Sequence, residues 1–161
     1  MVLYDRPWWR DAGLCGLLQS FKGPVAVSRD SSVDETGQFS LTCFTVGQPG
    51  RDLSRLPQHE RYGRVKQHIR KVFGAYTSVP EPIDISEYEW AMDQWAQGCP
   101  CPASPPEVLS KFDEALRAVH GKIHFAGTET AFEWKGYMDG AISSGKRAAQ
   151  ETIMALGQSK L

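Results

Sequence analysis

Residues 123–147, IHFAGTETAFEWKGYMDGAISSGKR, place a short apolar run, a glycine turn and a helix with small residues four apart in direct succession. Ile123 to Ala126 has the pattern of a short strand, and Gly127-Thr128-Glu129-Thr130 interrupts it. From Gly136 to about Leu156 the spacing becomes helical, with Tyr137, Ala141, Ile142, Ala149, Ile153 and Leu156 toward one side. Gly136, Gly140, Ser144 and Ala148 form a second line, where an ordinary core helix would carry Leu or Ile. Glycine inside a helix costs about 1 kcal/mol against alanine, so the line predicts a close approach, either by a backbone or by a flat ligand. A strand that passes through a glycine turn into a helix start also turns backbone N–H groups and the positive end of a helix dipole toward an electron-rich edge or a phosphate. This segment is therefore the candidate site for an anion or a cofactor.

The remainder of the chain bounds what can surround that site. With 161 residues, 41% of them apolar, there is material for one compact unit with a core. Eighteen Lys and Arg against nineteen Asp and Glu leave a net charge of −1, which provides no bulk field for nucleic acid or an anionic membrane. Four cysteines do not make a disulfide framework in a chain of this size, and no charged segment followed by an apolar one opens the sequence. The apolar runs fall short of the roughly 20 residues a membrane helix needs. A soluble intracellular protein with no membrane span is expected. The sequence has no fixed-period repeat and no G-x-G-x-x-G after a strand.

Met1 to Trp9 reads as an extended piece ended by Pro7, and Leu14–Phe21, Val25–Ser28 and Phe39–Val46 read as strands. Gly47-Gln48-Pro49-Gly50 reads as a turn. Leu56, Tyr62, Val65, Ile69, Val72 and Phe73 lie at helical spacing, which predicts a helix over Ser54–Phe73 with Pro57 in its first turn. Arg61, Arg64, Lys66, Arg70 and Lys71 on that helix read as a solvated face rather than a nucleic-acid patch. Ile83–Trp90 is expected as a strand, 98–106 as a Cys/Pro-rich turn, and Pro106 or Glu107 to Val119 as a second amphipathic helix closed by Gly121. The cysteines and four histidines lack paired ligand spacing, so no metal site is expected.

The FAGTET stretch, the W-x-G-Y-M of Trp134 to Met138 and the D-G-A-x-x-S-G-x-R-A-A that follows resemble the C-terminal FAD-binding signature of the flavin-dependent monoamine oxidase family. Pro7-Trp8-Trp9-Arg10 with Cys15-Gly16 resembles the start of that family's substrate-domain sheet, and Glu89-Trp90 through Gly98-Cys99 resembles the segment leading to its flavin-attachment cysteine. The likeness covers essentially the whole chain and corresponds to the C-terminal third of such an enzyme. It implies an α+β fold: a partial antiparallel substrate-domain sheet with helices, plus the last strand and helix of an FAD-binding (Rossmann-like) domain. The corresponding boundaries are a partial substrate-binding domain over 1–106, an FAD-binding part over 107–156 and a tail over 157–161.

The resemblance also implies roles. Trp90 matches a tryptophan lining the flavin, and Cys99 the position whose thiolate is bonded to the flavin in covalent members; its alternative is a loop thiol. Tyr137 matches one aromatic wall of the substrate cage and is the candidate catalytic residue. Met138 matches the helix start over the flavin's pyrimidine edge, with Gly136 beside it, and Gly127, Thr128 and Glu129 match the turn near the ribityl and diphosphate chain. Pro100 stands where covalent members place a second cage tyrosine, and Cys99-Pro-Cys101-Pro resembles fungal-type and related bacterial members. The implied activity is oxidative deamination of a small amine, with FAD as cofactor and dioxygen reduced to hydrogen peroxide. The alternative is a non-catalytic remnant, or an incomplete gene model, that binds no FAD alone. Ser159-Lys160-Leu161 is the tripeptide read by the peroxisomal import receptor, which implies a peroxisomal address.

Overall fold

The computed structural model describes residues 1–98 and 104–158. The chain divides into two compact units, Met1–Glu89 and Trp90–Leu161.

The first unit is built on a five-stranded sheet in the order β2-β3-β4-β1-β5. Its strands are β1 (Val2–Tyr4), β2 (Leu18–Gln19), β3 (Val27–Asp30), β4 (Phe39–Phe44) and β5 (Asp84–Ile85). Every neighbouring pair is antiparallel, with Val27 opposite Phe44, Asp30 opposite Leu41, and Val2 between Leu41 and Ile85. Helices α1 (Trp8–Asp11), α2 (Gly47–Ser54) and α3 (Gln58–Phe73) complete the unit. Val2, Tyr4, Leu18 and Leu41 from the sheet form one core cluster with Leu53 of α2 and Val65, Ile69 and Phe73 of α3. Trp8 and Trp9 sit within it, and edge-to-face contacts at 5.3–5.7 Å link Tyr4, Trp8, Trp9 and Phe73. Such pairs each add about 0.5–1.5 kcal/mol beyond the area they bury.

Several expectations change here. The extended opening ends at Tyr4, and Trp8–Asp11 is helical after Pro7. Of Leu14–Phe21 only Leu18 and Gln19 pair as a strand. Gly16 breaks the run at φ +72°, where a Cβ would fall 2.8 Å from Leu41 Cδ2. The turn expected at 47–50 opens α2 instead, because the buried Leu53 anchors that segment to the core. Pro57, extended at ψ 149°, separates α2 from α3, so the single helix expected over Ser54–Phe73 begins only at Gln58. Ile83–Trp90 pairs at Asp84 and Ile85 alone, since β1 offers only a short free edge. Three of the five Lys and Arg residues of α3 meet carboxylates: Arg61 pairs with Glu87, and Arg70 and Lys66 pair with Glu81.

The second unit contains 3-10 turns at Trp90–Met92 and Thr128–Thr130, the short α4 (Val108–Phe112) and the 21-residue α5 (Met138–Gln158). The helix expected to reach Val119 stops at Phe112. Phe112, Leu116 and Val119 are all exposed, and short helices are held mainly by burial of an apolar face. Ile123–Ala126 forms no ladder among the described residues and makes a single bridge, His120 with Ile123. An extended segment needs a neighbouring strand for its backbone groups, and none pairs with it among the described residues. Gly136 lies before α5 rather than within it, at φ +84°. No helix among the described residues is long and apolar enough to cross a membrane.

Candidate functional site

α5 turns its small-residue line inward. Gly140, Ser144 and Ala148 are buried, whereas Tyr137, Ile142, Ile153 and Leu156 are exposed. What approaches the line is backbone: a Cβ at Gly140 would lie 2.3 Å from the Trp134 carbonyl oxygen and 2.9 Å from Thr128 Oγ1. Of the two partners allowed by the spacing, the turn 127–136 of the same unit is the one that occupies this face. Thr130 and Ala131 are buried with it.

The turn is tied to the helix by named bonds. Gly127 N–H donates to Ser144 Oγ at 3.0 Å, and Thr130 Oγ1 donates to the Gly127 carbonyl at 2.9 Å. Thr128 Oγ1 accepts from Gly136 N–H at 2.7 Å and donates to the Tyr137 carbonyl at 3.1 Å, fastening the turn to the residue before α5. Gly127 adopts φ 137° and ψ 158°, a region open essentially to glycine alone, and its missing Cβ would approach only Glu129 Oε2, at 3.4 Å. Thus Gly127, Thr128, Glu129, Gly136, Tyr137 and Met138 share one constellation at the helix start.

At that start the ladder begins with Ala141 N–H donating to the Tyr137 carbonyl at 3.2 Å, so the N–H groups of Met138, Asp139 and Gly140 precede it. Trp134 and Tyr137 stand beside them, exposed, in an edge-to-face pair with centroids 5.9 Å apart. Asp113 accepts from both Arg117 and Lys135, and these bonds hold its carboxyl down at about 2. The Arg117 guanidinium lies 4.3 Å from the centroid of the Phe132 ring. An open cleft of about 180 Å³ is lined by Ala131, Phe132, Glu133, Ser143, Ser144 and Arg147.

Trp90 heads its own 3-10 turn and is half-exposed. Cys99, together with Pro100 and Cys101, and the tail residues Ser159, Lys160 and Leu161 lie outside the described residues. Sequence reasoning overlooked Arg147, Glu151 and His124. The four-residue spacing of Arg147 and Glu151 was the available signal, since such pairs meet on a helix face.

The chain contains an antiparallel sheet unit with its own core and a second unit in which a glycine turn is fastened to the start of a long helix, an α+β combination, and residues 1–153 match the family of flavin-containing amine oxidoreductases. The chain belongs to that family. It is 34% identical to human amine oxidase [flavin-containing] B over 160 residues, covering 98% of this chain and 31% of that protein. The zebrafish (Danio rerio) amine oxidase [flavin-containing] is 31% identical, with 98% and 30% covered. Among solved structures, cyclohexylamine oxidase from Brevibacterium oxydans aligns with a TM-score of 0.86 at 30% identity, over 97% of this chain and 34% of that one. Putrescine oxidase, solved with putrescine bound, shares the fold with a TM-score of 0.84 at 24% identity, over 95% and 34%. The chain spans about a third of the length of the relatives it matches.

Proposed function

We propose that this chain forms the C-terminal part of a flavin-dependent amine oxidase, with the turn 127–136 and the start of α5 contributing to a Rossmann-like FAD-binding lobe. The observation that carries the reading is the constellation at the helix start: free first-turn donors, a turn conformation that excludes side chains, and an exposed aromatic pair. These groups fit FAD. A flat, electron-rich ring edge suits N–H donors at a helix N-terminus, where the dipole favours negative charge as it gathers. Asp139 already answers part of that dipole, which favours a polarisable ring edge over a free phosphate.

In this reading Met138 presents its backbone to the ring's pyrimidine edge, Gly127, Thr128 and Glu129 hold the chain leading to the diphosphate, and Trp90 lines the ring. Tyr137 orients the neutral amine as one wall of the substrate site. FAD would supply the redox chemistry, taking two electrons from the amine's α-carbon and passing them to dioxygen. Amine, dioxygen and water then give aldehyde, ammonia and hydrogen peroxide. The protein's part is to orient the amine and exclude water. A peroxide producer suits a peroxisomal address, and Ser159-Lys160-Leu161 would be read by the import receptor.

A second reading has an observation in its favour. The buried residues of the second unit are small, while Phe132, Trp134, Tyr137, Met138 and Ile153 are exposed. Apolar surface of this extent marks an interaction face, so the chain would need further polypeptide before it holds FAD. Purified chain mixed with FAD separates the readings. Retained flavin that bleaches under a primary amine, with peroxide released on readmission of air, supports the first; folded chain that retains no flavin supports the second. Acid-stable colour lost in Cys99→Ala would assign covalent attachment. Tyr137→Ala is expected to harm amine turnover more than flavin retention, and equal loss of both would count against its role. A fluorescent fusion ending in residues 150–161 should enter peroxisomes, and the same fusion lacking Leu161 should not.

A further inference from the structure

The described residues of α5 carry a second set of groups that touch the turn, lying beyond the positions the flavin reading uses. Arg147 donates through Nη2 to the Phe125 carbonyl at 2.8 Å and to Thr130 Oγ1 at 3.1 Å. Its Nη1 donates to Glu151 Oε1 at 2.7 Å, and Glu151 Oε2 lies 3.2 Å from His124 Nδ1. Glu151 is held below the ordinary carboxylate range by Arg147 first and by His124 second. Ser144, Arg147 and Glu151 sit at three- and four-residue steps on one helix face, and their partners, His124, Phe125, Gly127 and Thr130, bracket the glycine on both sides. The Arg147 side chain is largely buried at 17% exposure, and its Nε is buried with no partner. A buried guanidinium with one donor unmet is not placed for surface solvation. What it gains is a planar fork whose Nη2 arm meets an acceptor on each flank of Gly127 while its Nη1 arm is held by Glu151.

We propose that Arg147 is a positioning residue: oriented by Glu151, it latches both flanks of Gly127 to α5 and thereby fixes the turn that Thr128 fastens to the helix start. The consequence for the cofactor rests on the amine oxidase reading above, whereas the consequence for the turn does not. A lysine ammonium offers three donors on one nitrogen but lacks the second arm that Glu151 holds, and methionine offers no donor.

The test is amide hydrogen exchange on the full chain, comparing wild type, Arg147→Lys and Arg147→Met at the Gly127 and Thr130 amides. Losing charge-assisted hydrogen bonds should speed exchange there by about tenfold or more in Arg147→Met. Arg147→Lys should fall between the two. Amides of β4 and the thermal midpoint of the first unit should hold. If Arg147→Met does not fold, Glu151→Gln takes its place, removing the charge that orients the guanidinium and loosening the same two amides. Unchanged exchange at Gly127 and Thr130 overturns the latch. A uniform rise along all of α5, with no excess at the turn, overturns positioning in favour of a general structural role. With FAD present, the flavin dissociation constant should rise in Arg147→Met at an unchanged thermal midpoint of the first unit and be partly recovered in Arg147→Lys. Wild-type chain that takes up no FAD counts against the amine oxidase reading and leaves the exchange comparison to decide the latch.

Discussion

Two glycines of α5 should respond in opposite directions to the same substitution. A methyl group at Gly145 would meet nothing within 4 Å, so Gly145→Ala gains helix propensity, about 1 kcal/mol, without a clash. At Gly140 the methyl would sit 2.3 Å from the Trp134 carbonyl oxygen and 2.9 Å from its carbon, atoms of the backbone that cannot rotate away. Overpacking of this kind costs roughly 1–3 kcal/mol, and contact with backbone places Gly140→Ala at the upper end. After the propensity gain, a net loss of about 2 kcal/mol remains, so the two variants differ by about 3 kcal/mol, or roughly a hundredfold in the local opening constant. Native-state hydrogen exchange of the α5 amides reads this directly, with Trp134 fluorescence reporting displacement of the turn. If Gly140→Ala is tolerated as well as Gly145→Ala, the turn does not pack on the small-residue face and the site described above is wrong.

Further expectations concern the first unit. His68 is buried under Gly23, and its Nδ1 accepts from Val25 N–H at 3.2 Å. Burial first, and then Lys71, lower its pKa below the ordinary 6.5, while a hydrogen bond to the Lys22 backbone opposes them. The unfolded chain therefore binds the proton first, and stability should be full above 6.5 and fall as pH drops below it. Urea midpoints measured across that range should decline for wild type and stay flatter for His68→Gln. Ser28 Oγ donates to the Gly16 carbonyl at 2.8 Å and accepts from Leu18 N–H at 3.0 Å, fully buried. Ser28→Ala would leave two backbone groups unmet at about 1–3 kcal/mol each, and a urea midpoint equal to that of wild type would refute this.

How far the sequence could be read depended on where each element finds its partners. β4 was legible because its aromatic and β-branched run pairs within the unit, and the core face of α3 was legible from Val65, Ile69 and Phe73. His68, on the same face, carried no apolar signal. α2 was hidden by Gly47 and Gly50: a Cβ at Gly50 would lie 2.7 Å from the Thr45 carbonyl oxygen, so the glycine serves a close approach that looks like a turn on paper. In the second unit, periodicity placed α5 within two residues at each end, and the small-residue line marked the approached face without saying whether a backbone or a ligand approaches it. Its apolar positions are exposed, and the covered face is the small one, because a turn rather than a helix packs there. The four-residue spacings of Asp113 with Arg117 and of Arg147 with Glu151 were readable, whereas the Lys135–Asp113 pair and the Arg147 bonds to Phe125 and Thr130 depend on loop paths that no local pattern encodes.

The central claim is that a flavin meets this chain at the first turn of α5. Amide exchange of the full chain with and without FAD tests it directly. Slowed exchange confined to Gly127–Thr130 and Met138–Gly140 is expected, with β4 unchanged. A flavin that binds while those amides exchange as before would contradict it.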